Sequence, residues 1–136
     1  MFDFLCPKCR EHLRVSDHII FKVRNSKKQS ALLLLSPQTG NYTSHKHRSF
    51  EVQEGESLEF YCPLCNASLI SDIHKNLANV LLLDDTGKNH NVFFSRIFGE
   101  HSTFETDDES VNIKGEDAGR YTYFKIGTKF RKFLTD

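Results

Sequence analysis

The residues best equipped for chemistry are four cysteines in two C-P-x-C turns. Cys6-Pro7-Lys8-Cys9 lies near the start and Cys62-Pro63-Leu64-Cys65 near the middle, and the 136-residue chain has no other cysteine. Two thiolates presented by a tight turn are half of a tetrahedral metal site, so two such turns predict one four-cysteine site at Cys6, Cys9, Cys62 and Cys65. Zinc is the expected ion, with iron as the alternative. Proline after the first cysteine fixes φ and removes one backbone donor. The remaining amides of each turn can then point at the sulfurs. Four thiolates close the coordination shell, whereas a catalytic zinc keeps one position open for water. His12 and His74 are alternative ligands or hydrogen-bond partners of the thiolates. The plain alternative for each is an exposed polar histidine beside a turn.

Other chemistry is thinly represented. There is no G-x-S-x-G, no H-E-x-x-H and no phosphate-binding glycine loop, so no enzymatic activity is expected. Asp84-Asp85 and Asp107-Asp108 read as solvated turn formers, and His45-Lys46-His47-Arg48 reads as part of a polar surface loop. Lys27 and Lys28 on a hairpin, and Lys129, Arg131 and Lys132 interleaved with Phe130 and Phe133, are candidate nucleic-acid contacts of the single-strand stacking kind. Eighteen basic side chains balance eighteen acidic ones. That gives no general attraction to nucleic acid or to anionic membrane.

The elements that must hold the cysteines read as strands. Residues 1–5 lead into the first turn. Residues 18–24 mix β-branched and aromatic side chains, and residues 31–35 form a short apolar run that suits a strand buried on both faces, with a buried helix segment as the alternative. Residues 42–49 are polar and read as a loop. Residues 50–52 and 57–61 alternate around Glu54-Gly55-Glu56, which reads as a hairpin whose second strand enters Cys62. Residues 71–76 suit a helical turn or a loop. Strands are expected at 78–83, 91–98 and 111–113. Residues 103–110, with acids from Glu105 to Glu109, read as solvated. Residues 121–126 suit a strand or an aromatic helical turn, and 129–134 form a basic amphipathic tail. The expected fold is mostly β, with antiparallel hairpins and sheets around the four-cysteine site.

The sequence resembles the zinc-ribbon class in its two C-P-x-C knuckles, each followed at the fourth position by leucine (Leu13, Leu69), and in the hairpins between them. The resemblance covers the knuckles and residues 10–61, and implies a metal more than a function, because the class holds nucleic-acid-binding, protein-binding and purely structural modules. Cys62-Pro63-Leu64-Cys65 also looks like a knuckle of the rubredoxin-type iron electron carriers. Those knuckles usually continue with glycine, where this chain has Arg10 and Asn66.

The two halves share an order of events: knuckle, leucine, strand, polar turn, apolar strand, polar loop, Gly-Glu turn, aromatic strand. Cys6 and Cys62 lie 56 positions apart, while Lys28 and Lys88, or Gly55 and Gly115, lie 60 apart. An internal duplication, about 1–61 and 62–136, is one reading. The other is that any antiparallel β protein alternates strands and turns at such spacing. Either way a single zinc-stabilised domain spanning 1–136 is expected. No apolar run approaches the ~20 residues of a membrane span, and the start lacks the pattern of a signal peptide. A cytoplasmic, reducing setting follows as an expectation, and there paired cysteines serve metals more often than disulfides. The expected function is that of a binding or adaptor module for an unknown protein partner. A nucleic-acid-binding zinc ribbon is the alternative, and a rubredoxin-like iron electron carrier is a third reading.

Overall fold

A computed structural model describes residues 2–38, 40–106 and 111–118. Among these residues ten strands form two antiparallel sheets. The first sheet contains β2 (Arg14–Val15), β3 (His18–Arg24), β4 (Ser30–Leu35), β5 (Ser44–Lys46) and β6 (Glu59–Tyr61). The second contains β1 (Asp3–Leu5), β7 (Leu77–Leu83), β8 (Asn89–Ser95), β9 (Thr103–Thr106) and β10 (Val111–Lys114). Among the described residues no helix is long and apolar enough to cross a membrane.

Each sheet grows from a long hairpin, β3–β4 or β7–β8. In β3 the alternation is clean: Ile19, Phe21 and Val23 are buried, and the residues between them face outward. In β7, Ala78, Val80 and Leu82 do the same work. These two faces meet Leu33, Val92, Phe60 and Phe4 in one core. Each fully buried Phe, Leu or Val there contributes about 1.5–3 kcal/mol.

The turns that close the two hairpins are built alike. Asn25 Oδ1 accepts from the amides of Lys27 and Gln29 at 3.0 and 2.9 Å. Asp84 Oδ1 accepts from those of Thr86 and Lys88, both at 2.9 Å. The third turn residue is left-handed in both, Lys28 with φ 64° and Gly87 with φ 85°. The turns therefore correspond at an offset of 59, which pairs Lys28 with Gly87 and not with Lys88.

The strands that deliver the chain into the knuckles cross over. β1 precedes Cys6 but pairs with β7, with Leu5 opposite Leu81. β6 precedes Cys62 but pairs with β3, with Tyr61 opposite Lys22. Each sheet thus takes a strand that leads into one knuckle, while its central hairpin follows the other knuckle.

Several expectations need correcting. Residues 57–61 do not form a hairpin with 50–52. Leu58 donates its amide to the Arg96 carbonyl at 2.9 Å, and β6 takes the free edge of β3. Residues 44–46 leave the expected loop and become β5, because the outer edge of β4 offers unpaired backbone groups. β4 is not buried on both faces: Leu33 is 3 % exposed and Leu32 54 %. Residues 103–106 are not solvated but form β9, with Phe104 fully buried. The strand expected over 91–98 runs from Asn89 to Ser95, and residues 71–76 form a loop. Residues 107–110, 121–126 and the tail with Lys129, Arg131 and Lys132 lie outside the described residues.

Candidate metal centre

The crossing of β1 and β6 brings the two knuckles face to face. Cys6 Sγ lies 3.8 Å from Cys65 Sγ, and Cys9 Sγ lies 3.8 Å from Cys62 Sγ. All four sulfurs fall within 4.8 Å of one another. A disulfide needs about 2.05 Å, so these are four free thiols. A regular tetrahedron with metal–sulfur bonds of about 2.3 Å has edges of about 3.8 Å, which these two separations match. The donor set fits zinc or iron.

The knuckles are near copies. The amide of Arg10 donates to the Cys6 carbonyl, and that of Asn66 to the Cys62 carbonyl, both at 2.9 Å. The Cys6 amide donates to the Glu11 carbonyl and the Cys62 amide to the Ala67 carbonyl, both at 3.0 Å. Inside each turn two amides point at the first sulfur. Lys8 and Cys9 donate to Cys6 Sγ at 3.3 and 3.5 Å, and Leu64 and Cys65 donate to Cys62 Sγ at 3.4 and 3.5 Å. Such donors stabilise a thiolate and orient it. Leu13 and Leu69 pack beneath the turns, 2 % and 1 % exposed. Their amides donate to the carbonyls of Phe4 and Phe60, which locks each knuckle to its incoming strand.

Closing the turn requires a left-handed residue after the second cysteine. Arg10 has φ 64° and Asn66 has φ 62°. Both adopt the backbone that glycine would take most easily, which asparagine tolerates and arginine less so. The absence of glycine at these positions therefore does not alter the knuckle geometry.

The electrostatics follow from crowding four thiols. The Glu11 backbone amide pulls the Cys9 thiol down, but burial and the sulfurs of Cys6, Cys65 and Cys62 outweigh it, pushing it up to about 12. Burial likewise raises Cys62 against the pull of the Cys65 and Leu64 amides. Cys65 is held below its ordinary value, chiefly by the Ala67 amide. One thiolate forms readily and further ones meet its charge. A dication removes that conflict. The site is also lopsided: Cys6 and Cys62 are fully buried, Cys9 is half-buried and Cys65 is exposed.

The histidines stand apart from the sulfurs. The described cluster of metal-competent side chains contains the four cysteines alone. His12 Nδ1 lies 2.5 Å from Asp3 Oδ2, and His74 Nδ1 accepts from the Asn76 amide at 3.1 Å. His45 packs edge-on against His18, with ring centroids 5.4 Å apart. Of the hairpin cations, Lys27 is engaged with Glu51 at 2.8 Å, and Lys28 holds the left-handed corner of its turn. Asp84 is a turn cap that also meets His90 at 2.7 Å.

Sequence reasoning did not single out Tyr42, His101 or Ser102, which line a cleft between the sheets. Their signal is tertiary, because loops from both hairpins meet there. Compared with known proteins, the chain matches no family model, no curated protein and no solved structure.

Proposed function

We propose that Cys6, Cys9, Cys62 and Cys65 hold one zinc ion, and that the chain is a zinc-stabilised binding module with no chemistry of its own. The observation that carries this is the convergence of four sulfurs within 4.8 Å of one another, with two 3.8 Å separations between the knuckles. All four positions around the ion are thiolates, which leaves no place for a reacting water. The ion joins the two sheets, since each knuckle ends a strand belonging to the opposite hairpin. We further propose that the halves descend from one duplicated β unit within a single domain. The repeated knuckle and turn hydrogen bonds support this.

Elemental analysis of protein purified under reducing conditions tests the metal. One equivalent of zinc is expected, with X-ray absorption giving sulfur neighbours at about 2.3 Å. Less than about half an equivalent of zinc or iron would sink the proposal.

A second reading, a rubredoxin-like iron electron carrier, is favoured by one observation: Arg10 and Asn66 take the left-handed backbone that glycine takes in such knuckles. A colourless protein from iron-replete cells would remove it. The nucleic-acid reading stays an alternative: Lys27 pairs with Glu51 in an exposed ion pair, and Lys129, Arg131 and Lys132 lie outside the described residues.

A further inference from the structure

The four sulfur-bearing residues are unequally open to solvent. Cys6 and Cys62 are fully buried, Cys9 is half-buried and Cys65 is exposed. The tip of the second knuckle faces water, with Leu64 65 % exposed and Asn66 exposed on either side of Cys65. The first cysteine of each knuckle sits inside, with two amides of its own turn aimed at its sulfur.

Coordination removes the usual chemical differences between thiols. A thiol bound to a dication is deprotonated outright, so all four are thiolates in the loaded centre. Reaction with an oxidant arriving from solvent is then decided by access. That singles out Cys65.

The partner for a second step lies across the joint between the knuckles. Cys65 Sγ is 3.8 Å from Cys6 Sγ. A disulfide needs about 2.05 Å, so the two sulfurs must close by about 1.8 Å. Cys65 is the one free to move, since it faces solvent while Cys6 is packed in the core with Phe4 and Leu13. Cys6 is thus closed to the oxidant itself and within reach of a modified Cys65.

We propose that Cys65 is an oxidation site for a hydroperoxide, and that Cys6 resolves it to a disulfide across the two knuckles, emptying the metal centre. The loss of an ion rests on the zinc reading above; the exposure and the spacing that select the two cysteines do not.

The steps balance. The Cys65 thiolate attacks the peroxide O–O bond, takes one oxygen as a sulfenic acid and expels hydroxide. The Cys6 thiolate then attacks the Cys65 sulfur, forms the S–S bond and expels a second hydroxide. The two sulfurs lose two electrons, and the peroxide becomes two waters with two protons from solvent. Only the Cys9 and Cys62 thiolates remain, too few to hold a zinc ion. The new bond keeps the joint. Cys6 follows β1, in the second sheet, and Cys65 lies in the knuckle that follows β6, in the first. The sheets therefore stay linked once the ion has gone. A dithiol can reach the exposed Cys65 and reverse the reaction.

The test treats the full zinc-loaded chain, its metal content measured first, with hydrogen peroxide beside a colorimetric zinc indicator. Zinc release is expected in step with the loss of two thiols, and dithiothreitol should restore both. Remaining thiols are then alkylated and the chain is digested. Cleavage after Lys8 separates Cys6 from Cys9, and cleavage after Leu64 separates Cys62 from Cys65, so mass spectrometry reads the connectivity. The first bond formed should be Cys6–Cys65. Cys65→His keeps a zinc-competent donor and removes the exposed sulfur, so peroxide should release its zinc at least about tenfold more slowly. If that variant does not load zinc, the wild-type connectivity decides alone. A first bond from Cys62 to Cys65, a first bond at Cys9, a disulfide between chains, or an unchanged release rate in Cys65→His overturns the proposal. Zinc absent before peroxide is added refutes the zinc reading instead, and the same mapping on the metal-free chain then judges the Cys6–Cys65 bond.

Discussion

Replacing Cys62 and Cys65 together by serine removes one whole knuckle from the metal centre. The effect can be estimated from topology. The Cys9–Cys62 link spans 53 positions of sequence. A covalent cross-link closing a loop of that length restricts the unfolded chain by about 4 kcal/mol. A metal clip acts on the same entropy where it stays bound across both knuckles in the unfolded chain; where it dissociates on unfolding, its binding free energy stabilises by at least as much. About 4 kcal/mol is a large share of the ~5–15 kcal/mol that a domain of this size commands. With a urea dependence of ~2 kcal/mol per molar, the midpoint should fall by about 2 M. Chelating the metal from the wild type should lower its midpoint by a similar amount, and chelator should not move the double variant further. The buried serine at position 62 adds its own cost of about 1–3 kcal/mol, which the chelated wild type separates from the metal effect. Hydrogen exchange gives the spatial test. Amides of β4 and of β8 should both lose protection, because each sheet takes an edge strand anchored at the centre. A difference below about 1 kcal/mol between loaded and chelated protein, or deprotection of one sheet alone, would refute the view that the ion joins the two halves.

Four further outcomes follow from the geometry. Arg10→Gly relieves about 1–2 kcal/mol of left-handed strain and costs about 0.5–1 kcal/mol in unfolded-chain entropy, so it should raise stability by about 0.5–1 kcal/mol in urea titrations. Asn66→Gly should change little, because asparagine tolerates that backbone. The Asp84 carboxyl is held well below the usual carboxylate range, first by the Thr86 hydroxyl and then by His90 and backbone amides. Its contribution is present above the unfolded value of about 3.9 and is lost as pH falls through the folded value. Thermal melts between pH 5 and pH 2 should thus show Asp84→Asn losing less stability than the wild type, since Asn25 caps the equivalent turn with an amide oxygen; equal acid sensitivity would contradict the assignment. His12→Ala should leave the metal stoichiometry by elemental analysis unchanged, because that ring pairs with Asp3.

Much of the site is written locally. The spacing of each C-P-x-C turn, the proline after its first cysteine and the leucine four residues on determine a knuckle that presents two sulfurs and packs on its own incoming strand. The alternation of Ile19, Phe21 and Val23 determines β3, and the Asn25 and Asp84 turns close their hairpins through side chains within the same few residues. These features depend on interactions across a handful of positions, which is why the sequence alone conveys them. The rest depends on which edge each strand meets. Residues 57–61 alternate equally well whether they pair with 50–52 or with β3, and only the free edge of β3, with Phe60 buried against Phe21 and Phe94, decides between them. The polar stretch around His45 and the acidic-looking stretch around Phe104 become strands for the same reason: backbone hydrogen bonding at an open sheet edge outweighs local composition. The meeting of the four cysteines, the crossing of β1 and β6 and the cleft behind them exist only once both sheets have formed, because each joins residues that chain proximity does not bring together.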